Sequence, residues 1–304
     1  MTIQVDLKND LRRQILQNLP HDRNDARLVG ELNAAGIGKL AVIYLNWLSR
    51  LVRPVPRRVL KSTQLMANPL AQTFSTALSA IETAIQEGHD LTPHLSKAVA
   101  TFGYVSGSNS TSRDKDLMLN DWGVHHLHLG TRPDAGDPRF IERTNELLFV
   151  MFFPDVAYLL DIVPHMNWTK QEIVRIAVTN WPDVELFLEL VGVLPSSSSY
   201  TETEHGKLRK AGIATPIEVD GRVYVARGML STAGTSIQST RAADDLMDAI
   251  ERFEEACRTA PETIEAMFAA RGLLWPASPA FELVFLQQGV GVVEKKTGVV
   301  IGLA

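Results

Sequence analysis

The chain has 304 residues, of which 45% are hydrophobic, 21% charged and 7% aromatic, and this composition excludes collagen-like, disordered and disulfide-scaffold classes. Thirty Lys and Arg against thirty-five Asp and Glu give a net charge of −5, so the overall field does not hold the molecule on a polyanion and any nucleic-acid contact has to be local. The single Cys257 rules out an intramolecular disulfide and reads as a small core residue in a reducing compartment. Residues 1–19 mix charged and polar side chains with apolar ones, and no run approaches the roughly 20 apolar residues that span a bilayer. The expectation is a cytoplasmic protein without a membrane partner.

In chain order, Leu7, Leu11 and Ile15 fall on one helical face in a segment closed by Pro20, and a longer helical pattern from about Ala26 to Leu51 is broken by Gly36 and Gly38. Pro54 and Pro56 make the segment 53–58 a rigid elbow, because each proline biases the residue before it away from the α region. A further helix is predicted from about Pro69 to Gln86, stopping near Gly88, and Thr92-Pro93 opens a short one. Ser106 to Ser112, rich in Gly, Ser, Asn and Thr, reads as a connection. Extended segments follow: Val124 to Leu129, Glu146 to Phe153 and Val156 to Val163, predicted as a three-stranded antiparallel meander. Its middle strand is apolar on both faces and calls for helices on both sides.

Thr169-Lys170-Gln171-Glu172 has the capping-box form and precedes a predicted helix to Asn180, with a second helical start near Pro182. Pro195 and four serines mark an exposed connection, and Asp220-Gly221 between Ile217–Val219 and Arg222–Ala226 is a hairpin signal. Leu246, Ile250, Phe253 and Cys257 define a helix, Pro261 opens another, and the segment 281–302 ends the chain as strands. The expected class is α+β: an N-terminal helical bundle (1–105), a central antiparallel sheet flanked by helices (106–195) and a C-terminal mixed α/β segment (196–304).

Three of the eight histidines lie within four residues, at His125, His126 and His128. Side chains alternate along a strand, so His126 and His128 share a face about 7 Å apart, while His125 sides with Leu127 and Leu129. An antiparallel meander can bring His165 beside them. Imidazoles that titrate near neutrality can act as general base and general acid on a ribose 2′-hydroxyl and a leaving 5′-oxygen without a metal, with Arg143 or Arg132 neutralising the phosphorane. Alternatively, His126, His128 and His165 form the ligand set of a hydrolytic zinc.

A second feature is a charge gap. Between Glu31 and Glu82 there is no acid, whereas Lys39, Arg50, Arg53, Arg57, Arg58 and Lys61 supply six positive charges. Functionally, Arg50, Arg53, Arg57, Arg58 and Lys61 read as a phosphate-contacting patch on RNA, and structurally as a face docked on acidic residues. The hydroxyl-rich loop Gly228–Ser236 entering a helix reads as capping, with anion binding as a secondary role. Gly-x-Ser-x-Gly, His-Glu-x-x-His and paired Cys-x-x-Cys motifs do not occur.

The segment 122–165 resembles the sheet of the RelE/HigB-type toxin ribonucleases in layout. A histidine-bearing strand precedes an Arg-containing turn at Arg143, the apolar strand Glu146-Leu147-Leu148-Phe149 enters, and Tyr158-Leu159-Leu160-Asp161-Ile162-Val163-Pro164-His165 closes on a histidine. The resemblance implies metal-independent endoribonuclease activity with His126, His128, Arg143 and His165 as catalytic candidates. It also implies a host-defence or mobile-element toxin with RNA as substrate and a cognate inhibitor protein as partner. A reading of a different class is a non-catalytic regulatory protein that binds nucleic acid or an acidic partner through its basic N-terminal segment.

Overall fold

The computed structural model describes residues 3–107, 113–165, 171–195, 200–286 and 289–303. The fold is α+β, and the chain forms two compact units: Pro20–Asp22 with Asn46–Gln238, and Met1–Leu19 with Arg23–Leu45 and Ser239–Ala304. The boundaries expected near 105 and 195 therefore both fall inside one unit. The expected N-terminal bundle is divided as well, because residues 46–105 belong with the sheet and most earlier residues with the C-terminal segment.

The larger unit is built on strands β1 (Arg58–Lys61), β2 (Val124–His128), β3 (Glu146–Phe152) and β4 (Val156–Pro164), in the spatial order β1-β4-β3-β2. The meander β2-β3-β4 is antiparallel and falls on the expected segments. Strand β1, which the sequence does not announce, adds in parallel to the other edge of β4, with Arg58 opposite Val156. The two-proline elbow delivers extended backbone straight into it. Four residues are too few for a readable alternation, so β1 is specified by the edge it joins.

Val124, Leu147, Phe149, Met151, Val156, Tyr158 and Leu160 lie in one core. Ile173, Val174, Ile176 and Ala177 of the helix Glu172–Asn180 close that core together with a second sheet. This sheet comprises β5 (Phe187–Glu189), β6 (Ile217–Val219) and β7 (Arg222–Ala226), in the order β5-β7-β6. The other face of the main sheet contributes Leu127, Leu148, Val150, Ala157, Leu159 and Ile162 to a core closed by Ala77, Leu78, Ile81 and Ile85 of the helix Ser75–Glu87. Asp220 (φ 49°) and Gly221 (φ 77°) make the predicted two-residue turn between β6 and β7. Thr169 and Lys170 of the predicted capping box lie outside the described residues, and the helix after them begins at Glu172.

In the smaller unit, Leu7, Leu11 and Ile15 of the helix Leu7–Asn18 are fully buried. Asp10 on that helix accepts the Leu283 N–H of β8 at 3.2 Å. Strands β8 (Phe281–Phe285), β9 (Val290–Glu294) and β10 (Val300–Gly302) form an antiparallel sheet in the order β10-β9-β8. Phe253 of the helix Ile237–Thr259 meets Phe281 edge-on at 5.2 Å. Cys257 on the same helix is buried, and burial pushes its thiol up to about 12. Among the described residues, no single helix is long and apolar enough to cross a membrane.

One close approach shapes the turn that follows β2. A Cβ at Gly130 would stand 2.3 Å from the Glu142 carbonyl oxygen and 2.6 Å from its Cγ, so the two arms of the 129–145 loop meet only because residue 130 has no side chain. Gly130→Ala is expected to lower stability by about 1–3 kcal/mol, seen as a lower urea midpoint at unchanged m-value.

Candidate functional site

β2 pairs with β3 so that His126 stands opposite Phe149 and His128 opposite Leu147. Both partners belong to the core beneath the first face, and Leu127 between the two histidines enters the core of the second. His126 and His128 are thereby fixed on the first face. His165 follows the last residue of β4, where its N–H donates to the Asn145 carbonyl at 2.5 Å, just ahead of the start of β3. The end of β2, the start of β3 and the end of β4 coincide, with β3 in the middle. The backbones of His128 and of the end of β4 thus stand two strand spacings apart, about 10 Å.

Arg143 is exposed on the loop that enters β3, and both of its neighbours are held. The Glu142 N–H donates to the Arg132 carbonyl at 2.8 Å. The Thr144 N–H donates to His128 Nδ1 at 3.3 Å, while the Thr144 hydroxyl accepts the Leu129 N–H at 3.0 Å and donates to the Glu146 carbonyl at 2.6 Å. Arg132 lies on the opposing arm of the same loop and is also exposed.

The electrostatics join these groups. His128 is 2% exposed, and burial, followed by the charges of Arg143, His126 and His165, holds its imidazole down at about 4. It is neutral near pH 7. Because Nδ1 accepts a backbone N–H, the proton of the neutral ring sits on Nε2. His165 is half-buried and lowered by the same causes: burial first, then Arg143 and His126. The charges of Arg143 and His126 thus bear on both His128 and His165. Among the described residues, no three His, Cys, Asp or Glu side chains are grouped so as to hold a metal ion.

Two residues that sequence reasoning passed over belong to the site. Asp116 caps the helix Leu117–Trp122 by accepting the Leu119 N–H on Oδ1 at 3.0 Å, and its Oδ2 lies 3.4 Å from His126 Nδ1. An Asp immediately before an apolar helical start was the available signal. His94 donates from Nδ1 to the His128 carbonyl at 2.9 Å and buttresses the end of β2, and its ring is lowered by burial. Its distance in sequence concealed this contact.

His125 points the other way. Its Nε2–H donates to the Ser49 carbonyl at 3.2 Å, its ring meets Phe152 edge-on at 5.3 Å, and burial lowers it to about 4. His205, which the sequence left isolated, is buried against the Thr215 hydroxyl at 2.6 Å. In the loop before the helix Ile237–Thr259, Ser231 and Thr235 bond to each other and Ser236 caps the Gln238 N–H.

The basic segment is not the continuous phosphate-binding surface that its charge suggested. Arg50 is 5% exposed and donates to the carbonyls of Phe102 at 2.6 Å and Asp114 at 3.1 Å. Arg57 is 8% exposed, donates to the carbonyls of Phe153, Arg53 and Val55, and covers the Phe152 ring. Both guanidiniums are thus engaged with backbone carbonyls. Lys61 pairs with Glu82 at 3.1 Å. Arg53 and Arg58 remain exposed.

The two imidazoles held near 4 set an acid limit on the fold. In the unfolded chain they take up protons below about pH 6.5, whereas the folded chain keeps them neutral down to about 4. Their stabilisation is complete above about pH 6.5 and declines as the pH falls, by up to about 1.4 kcal/mol per pH unit for each ring. The urea midpoint is therefore expected to be lower at pH 5 than at pH 7, and His125→Leu to flatten that dependence.

No family model, no curated protein and no solved structure matches this chain.

Proposed function

We propose that the protein is a metal-independent endoribonuclease of toxin-like character. What supports this reading is that His126 and His128 share one face of β2, that His165 directly follows β4 at the same end of the sheet, and that Arg143 on the adjoining loop acts electrostatically on His128 and His165. Transesterification of RNA needs a base for the 2′-hydroxyl, an acid for the departing 5′-oxygen and a cation near the phosphate.

His165, whose conjugate acid is weakened by burial and by Arg143, takes the 2′-hydroxyl proton. The 2′-oxygen attacks phosphorus, the bond to the 5′-oxygen breaks, and His126, as general acid, delivers a proton to that oxygen. The products are a 2′,3′-cyclic phosphate and a 5′-hydroxyl. His128, neutral and buried, holds the end of β2 beside the phosphate, and Arg143 neutralises the phosphorane.

The test is incubation of the full chain with an RNA oligonucleotide in EDTA. Cleavage giving cyclic-phosphate ends is expected, lost on 2′-deoxy substitution at the scissile position. His126→Ala and His165→Ala are each expected to slow it by about 10²–10⁴-fold. Because the His165 base is lowered, the loss of activity on the acid side is expected below about pH 6.5, the ordinary imidazole value. Binding without cleavage would favour the non-catalytic regulatory reading, and cleavage abolished by EDTA would favour a metal-dependent hydrolase.

A further inference from the structure

The pairing of His126 with Asp116 suggests a role for a residue that the reaction above does not use. His126 Nδ1 is fully buried, although the side chain keeps 16% of its surface. Solvent therefore reaches this side chain elsewhere than at Nδ1. The Asp116 carboxylate next to Nδ1 is held by the helix it caps. Its Oδ1 accepts the Leu119 N–H at 3.0 Å, which leaves Oδ2 facing the imidazole at 3.4 Å. Two residues upstream, the Asp114 carbonyl is held at 3.1 Å by the buried guanidinium of Arg50. A carboxylate whose one oxygen caps a helix has little freedom to turn its other oxygen from the ring.

We propose that Asp116 is the positioning residue of His126: it holds the proton of the neutral ring on Nδ1, so that Nε2 alone exchanges protons with the substrate. An acceptor-only carboxylate next to Nδ1 favours a proton there. When His126 gives up its Nε2 proton to the leaving oxygen, the neutral ring that results is the tautomer Asp116 stabilises. Arg50 acquires a purpose in the same arrangement, since its burial holds the backbone from which Asp116 projects. This inference rests on the ribonuclease reading for its catalytic meaning, but the tautomer can be measured without RNA.

Asp116→Asn separates the charge from the cap. Asn caps helices as well as Asp does, so the Leu119 N–H keeps its acceptor in the side-chain amide oxygen. The amide NH₂ then faces His126 Nδ1 as a donor, and the neutral ring must move its proton to Nε2. The experiment is ¹⁵N NMR of the imidazole nitrogens in the full chain, with cleavage of the same RNA oligonucleotide in parallel. The expected result is an Nδ1–H tautomer for His126 in the parent chain and an Nε2–H tautomer in the Asn variant. Thermal midpoints should be equal and cleavage about 10²–10⁴-fold slower in the variant. Asp116→Ala, which loses the cap as well, is expected to lower the thermal midpoint, a change that the Asn variant does not share.

An Nδ1–H tautomer unchanged in the Asn variant, or an Nε2–H tautomer already present in the parent chain, overturns the assignment. A flipped tautomer with unaltered cleavage also overturns it. If the parent chain does not cleave RNA, the ribonuclease reading fails by itself, and the tautomer comparison still decides whether Asp116 sets the proton on His126.

Discussion

Leu147, Leu148, Phe149, Val150 and Met151 run consecutively through β3, and none is more than 4% exposed. A strand withdrawn from water on both faces constrains the register of β2, because a shift of one residue there exchanges the residues that enter the two cores, whereas the pairing with β4 absorbs an irregularity between Phe149 and Val150. β2 is bound by this rule. Val124 has to enter one core and Leu127 the other, and the alternation that seats them turns His126 and His128 to one face and His125 to the opposite face. The position of the histidines is thus a consequence of apolar burial along β3, and the chemistry available at the end of the sheet follows from a packing requirement in its middle.

Burial then decides which imidazoles can carry charge. A ring taken out of water loses the solvation of its protonated form, and His125 and His128 are both lowered to about 4 for that reason first. The loop between β2 and β3 adds a second layer of control. Thr144 ties Leu129, Glu146 and His128 together through three hydrogen bonds, and in doing so fixes the tautomer of His128 and the stem from which Arg143 projects. Gly130 permits the close passage that this loop needs. The histidines, the arginine and the glycine form one mechanical unit, although they come from two strands, a loop and a strand end.

The charge-rich segment 39–61 illustrates how composition misleads when backbone demand is out of view. A run of cations without acids looks like a surface for phosphate, yet Arg50 and Arg57 point inward and donate to peptide carbonyls. A guanidinium has five donors in a fixed fork, which suits it to several acceptors at once where chain segments meet away from water. The carbonyls that take up Arg50 come from residues 102 and 114, more than fifty positions away, and no local pattern in the sequence marks them.

The sequence by itself determined the elements whose cause is local. Alternating and continuous apolar runs defined β2, β3 and β4, the Asp220-Gly221 pair defined its hairpin, and prolines and glycines placed the helix ends, because each reflects the conformational preference of a few adjacent residues. It also indicated that His126 and His128 share a face, since the period of a strand is fixed by covalent geometry. What only the tertiary structure decided depends on partners distant in the chain: the parallel addition of β1 to β4, the joining of the first helix to the last strands, the inward turn of Arg50 and Arg57, and the meeting of Asp116 with His126. Those outcomes are settled by which buried polar group finds which acceptor once the cores have closed, and that matching exists only when all the segments are present together.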